Sequence, residues 1–194
     1  MNTVPWDIRI DFPDDLQFAV YIAQAQGFAP DTISSTSSAL AQEWALWWES
    51  LVVGQLAVTE ATSNLMDVRA FSHFVPPDFP DLAVAPTLQA VCRATWPQFH
   101  QEWGGLHSPE LQWVQEIRKT LRVLNVNQLV DECQAALDKA KIEPFRLQID
   151  LLHWPTAYQW IVADNHLVLG VGYLEPEQHE ELRILMRQQI MKLA

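Results

Sequence analysis

The stretch Phe145-Arg146-Leu147-Gln148-Ile149-Asp150-Leu151 decides the fold class. Apolar residues at 145, 147, 149 and 151 alternate with polar ones at 146, 148 and 150, the period of a half-buried strand. Downstream, the segments 158–163 and 166–173 are rich in β-branched and aromatic residues. Asp164-Asn165 between them reads as a two-residue turn, because asparagine tolerates left-handed φ. Together these three segments predict a C-terminal antiparallel meander. A helix from about Glu177 to Leu193 follows, with Leu182, Leu185, Met186, Ile190 and Leu193 on one stripe.

Near the N-terminus, Trp6, Ile8, Ile10 and Phe12 alternate with Asp7, Arg9 and Asp11, which predicts an N-terminal strand able to join that sheet. Everything between the two regions has helical period. Asp14 or Asp15 opens a helix that Gly27 closes, and Leu40, Trp44, Trp47, Trp48, Leu51 and Val52 pattern a second over 39–56. Residues 62–74 carry only a weak helical pattern. Pro76, Pro77 and Pro80 make 74–81 a loop. A helix from about Pro86 is expected to kink or break at Pro97. Ser108-Pro109-Glu110 opens another to about Leu124, and Asn127 caps the next to about Ala140. The fold class is therefore α+β: a helix-rich N-terminal two-thirds packed with a small antiparallel sheet and a C-terminal helix. A chain of 194 residues fits a single domain, 1–194. It is also compatible with a subdivision into a helical region, residues 1–105, and a region of helices plus sheet, residues 106–194.

Composition narrows the function classes. Nearly half the residues are hydrophobic and 19% are charged, a globular profile. The apolar runs fall short of the ~20 residues a membrane helix needs, and no basic region precedes an apolar core near Met1. We therefore expect a cytoplasmic protein with no membrane partner. The net charge of −12 is uneven: residues 1–92 hold 11 acids against Arg9 and Arg69, whereas residues 93–194 hold 13 acids against 10 basic residues. Such a field repels phosphate backbones, so no nucleic-acid partner is expected, while a basic protein partner is compatible.

Motifs for chemistry are missing. The six histidines form no metal-ligating pair at helical spacing, no Gly-x-Ser-x-Gly elbow occurs, and no glycine loop opens a helix after a strand. No cofactor is expected, and whether the chain is an enzyme stays open. Cys92 and Cys133 sit in apolar patterns and read as buried thiols. His100, His107 and His153 are the polar groups to inspect. The nine tryptophans stand out most: Trp44, Trp47 and Trp48 crowd one helix, and Trp96 and Trp103 another. Trp47 and Trp48 point about 100° apart, so one narrow core stripe cannot take all three rings. These five indoles are the candidate interface or ligand pocket. Two expectations follow. The first is a non-catalytic interaction or regulatory module that homodimerises or binds a basic partner. The second is a small-molecule enzyme or sensor with a Trp-lined pocket built from residues distant in sequence.

Overall fold

The computed structural model describes residues 6–28, 38–61, 74–103, 109–137 and 144–193. Two compact units divide the chain. Pro13–Ser108 forms one, and Met1–Phe12 joins Pro109–Ala194 to form the other.

The second of these units holds the sheet. Its strands are β1 (Trp6–Asp11), β2 (Phe145–Leu152), β3 (Gln159–Ala163) and β4 (His166–Gly170), in the order β1-β2-β4-β3. The α+β class stands, but the sheet is mixed and not a meander. β1 runs parallel to β2, β2 runs parallel to β4, and only the β3–β4 hairpin is antiparallel. Two glycines explain how the chain manages this. The link 153–158 folds back over the end of β4, with Gly170 N–H bonding the Tyr158 carbonyl at 2.8 Å and Gly172 N–H the Trp154 carbonyl at 3.2 Å. A Cβ at Gly170 would meet the Thr156 carbonyl oxygen at 2.5 Å, and one at Gly172 would meet the Thr156 carbonyl carbon at 2.3 Å. Only a residue without a side chain lets the two backbones approach this closely.

Three helices of this unit cover one sheet face: α4 (Pro109–Val123), α5 (Val126–Ala136) and α6 (His179–Leu193). Ile117, Leu129, Val130, Leu182, Met186 and Ile190 interlock there with Leu147, Ile149, Leu151, Leu167 and Leu169. The strand alternation therefore does what the sequence implies on that side. The opposite face departs from it. Asp150, Leu152, His166 and Val168 are buried as well.

The helical unit contains α1 (Asp14–Ala25), α2 (Ala39–Ala61), a 3₁₀ turn (Pro80–Val84) and α3 (Pro86–Trp103). Ser38 caps α2 by accepting from the Ala41 N–H at 3.1 Å. α1 ends at Gly27, whose φ of 71° lets the Phe28 N–H reach back to the Ala23 carbonyl. α3 continues through Pro97 to Trp103, so that proline does not break it. The weakly patterned segment 62–73 lies outside the described residues.

The core of this unit is aromatic. Phe18 on α1 stacks on Phe79 at 5.4 Å and meets Trp96 and Phe99 of α3 at 5.2 and 4.9 Å. Offset and edge-to-face rings at such distances add about 0.5–1.5 kcal/mol per pair beyond area burial. Phe79 adopts φ 47° just ahead of Pro80, which turns its ring inward to be fully buried.

Candidate functional site

The indoles of α2 are covered within the helical unit. Trp44 is fully buried and donates its Nε1–H to the Ala19 carbonyl at 2.9 Å. Trp48 stacks on it at 5.5 Å and 8°. Trp47, about 100° round the helix, meets Phe18 edge-on at 6.3 Å. The second surface that the crowding requires is thus α1 of the same unit. Trp96 and Trp103 are half-buried beside Phe99, and His100 lies exposed, stacked on Trp96 at 5.5 Å. His107 lies outside the described residues.

Of these indoles, Trp47 borders an opening. A groove of about 280 Å³ runs between α2 and the 3₁₀ turn, lined by Glu43, Leu46, Trp47, Ser50, Asp81, Leu82, Val84 and Ala85. Leu46 and Val84 flank it at 70% and 92% exposure. The wall is held by polar contacts that reach the backbone. Glu43 accepts from the Leu88 N–H at 2.7 Å, completing the first turn of α3, where a carboxylate also suits the helix dipole. Gln89 donates to the Phe79 carbonyl at 2.9 Å, and Arg93 donates to that of Asp78 at 2.9 Å. Sequence spacing could not show this groove, because its two walls lie far apart along the chain and are brought together by α1 and α3.

A cleft of about 440 Å³ in the sheet-bearing unit gathers Trp113, Glu116, Lys119, Thr120, Glu175 and His179. Thr120 is not activated there by His179. His179 Nε2 lies 3.1 Å from the Leu174 carbonyl and 3.5 Å from Thr120 Oγ1. A nitrogen that donates to a carbonyl cannot also accept the threonine proton. Beside α4, His153 packs on Trp113 at 4.8 Å, and burial holds its imidazole below the usual 6.5. Its sign is that of a base kept neutral. The unfolded chain takes up a proton near 6.5 that the folded chain resists, so stability falls as pH drops through that window. A proton NMR titration of the His153 ring should give a midpoint below 6.5. His153→Gln should flatten the loss of stability between about pH 7 and 5.

The most deeply buried polar pair was not legible as a site. His166 Nε2 sits 2.7 Å from Asp150 Oδ2, and Gln148 donates to Oδ1 at 2.9 Å. Both side chains of the pair are almost wholly buried, and neither lines the groove or the cleft. The available signal was Leu151-Leu152, where alternation fails because both faces become buried, next to the unbroken apolar run after His166. Both cysteines are free and buried, and burial pushes the Cys92 thiol up to about 12 and raises that of Cys133. Neither is a nucleophile at neutral pH. Among the described residues no group of three His, Cys, Asp or Glu side chains could hold a metal, and no helix is long and apolar enough to cross a membrane. No protein-family model, curated protein or solved structure matches this chain.

Proposed function

We propose that this chain is a non-catalytic protein-binding module whose helical unit seats a basic, amphipathic segment of a partner in the groove between α2 and the 3₁₀ turn. The groove itself carries the reading: exposed aliphatic walls at Leu46 and Val84, an indole floor, and carboxylates at Glu43 and Asp81. Its volume sits at the lower edge of the ~300–1,000 Å³ of enclosed small-molecule pockets, which suits the anchoring of a side chain or two. Charge agrees, since residues 13–108 hold ten acids against Arg69 and Arg93. An amphipathic helix laid into an apolar groove is a recurrent mode of recognition, and rim charges give it speed and orientation.

The test is fluorescence anisotropy with a labelled Leu/Lys amphipathic peptide of about five helical turns. The same peptide with Glu in place of Lys is the control. We expect saturable binding of the basic peptide only. The L46S/V84S double substitution should weaken it at least tenfold, because burying one aliphatic side chain contributes about 1.5–3 kcal/mol and about 1.4 kcal/mol is tenfold. Both positions are exposed, so the melting temperature should hardly move. Equal affinity of the wild type and the double variant rejects the groove.

A second reading rests on the 440 Å³ cleft, whose size and mixed indole, Lys119 and Glu116 lining suit a small polar molecule. Ligand-induced stabilisation that Thr120→Val abolishes, with no peptide binding, would favour it.

A further inference from the structure

We infer that β1 is a self-complementary edge through which two copies of this chain pair, antiparallel, into one continuous eight-stranded sheet. This stands on different residues from the groove reading and goes beyond it. β1 is an outermost strand of the sheet, and among the described residues no backbone hydrogen bond reaches it from outside the sheet. The other outermost strand, β3, has a register irregularity between Ile161 and Ala163, a feature that spoils pairing. β1 is regular over all six residues.

Its side chains choose the occupant. Trp6, Ile8 and Ile10 are half-buried on one face, while Asp7, Arg9 and Asp11 are exposed on the other. A one-residue slip would set polar against apolar on both faces, so only even registers are open. Centring on Arg9 opposes Arg9 to Arg9 and Asp7 to Asp11, which repels. Centring on Ile10 overlaps β1 with its copy over residues 9–11 alone, against 6–10 for a centre at Ile8. Centring on Ile8 sets Asp7 of each copy against Arg9 of the other, Trp6 against Ile10, and Ile8 against itself on the two-fold axis. An isologous contact needs this kind of self-complementarity. Alongside, a hollow of about 390 Å³ lined by Trp6, Ile8, Leu121 and Val126 gives the incoming apolar face room to pack.

Sedimentation of the full chain tests this, with circular dichroism as the check on folding. The wild type should approach twice its 22.2 kDa monomer mass as concentration rises to roughly 100 μM. Arg9→Asp should weaken the dimer at least tenfold by setting Asp against Asp, and D7N/R9D, which removes that repulsion without placing a second cation beside Arg146, should recover much of the loss. Ile8→Cys should cross-link under mild oxidation, since facing Cα atoms in such pairs lie about 4.5–5.5 Å apart, within disulfide range. A chain that stays monomeric throughout overturns the inference. So does a dimer indifferent to Arg9→Asp, or one in which Ile8→Cys fails to cross-link.

Discussion

Gly172→Ala is expected to lower the stability of the chain by more than about 3 kcal/mol, read as a shift of the urea midpoint or as failure to accumulate folded protein. The new methyl would stand 2.3, 2.5 and 2.6 Å from the Thr156 carbonyl carbon and oxygen and the Ala157 nitrogen. All three are backbone atoms, so no rotamer change relieves the overlap, and the link 153–158 must move as a whole. Moving it breaks the Gly172–Trp154 and Gly170–Tyr158 hydrogen bonds that fix where β3 is placed. Gly27→Ala is the contrast. Nothing lies within 4 Å of that Cβ, and only the positive φ is at stake, so about 1 kcal/mol is expected. Equal, small effects at both positions would mean that the close approach is not what orders the strands.

Asp150→Ala is expected to cost about 1–3 kcal/mol in chemical denaturation, because it leaves the buried His166 ring without its carboxylate partner. The partner change His166→Leu takes the imidazole from Oδ2 while Gln148 still donates to Oδ1, and should cost somewhat less. Replacing both at once, as D150V/H166L, should cost clearly less than the sum, since apolar groups of suitable shape need no partners. Strict additivity of the two single effects would show that the pair is not a coupled unit. The geometry makes Asp150–His166 an internal tie between β2 and β4, because the strands run parallel there and bring His166 beside Gln148, one diagonal step from Asp150.

Those two residues also mark where the sequence stops being readable. Alternation over 145–151 and 6–12 revealed both strands, and the helical period located α1, α4 and α6 nearly to their ends, while α2 runs five residues past the 39–56 expected. Strand direction has no such signature. The hairpin turn at Asp164-Asn165 fixes β3 against β4, but the link 153–158 permits β2 to pair on either side. The observed arrangement needs Gly170 and Gly172 where the link passes, and that crowding is visible only in three dimensions. Asp150 read as the solvent side of a half-buried strand, an inference that holds only when one face is wet. The indoles behave differently. Crowding of Trp44, Trp47 and Trp48 implied a second contact surface, and there is one, but it is supplied by Phe18, Ala19 and Phe28 of the same unit. The excess of indole does not by itself demand a partner. The groove became visible only once the 3₁₀ turn, introduced by the left-handed Phe79 and fastened by Gln89 and Arg93, was set against α2.

The binding reading therefore rests on a place, and amide chemical shifts report on places. A nitrogen–proton correlation spectrum should be followed while the Leu/Lys peptide is added to the full chain. The expected result is a set of shifts concentrated on residues 43–50 and 81–85 that saturates, with residues 112–123 and 171–179 unmoved. Shifts centred on that second set, or scattered over the acidic surface without saturation, would contradict a partner site on α2.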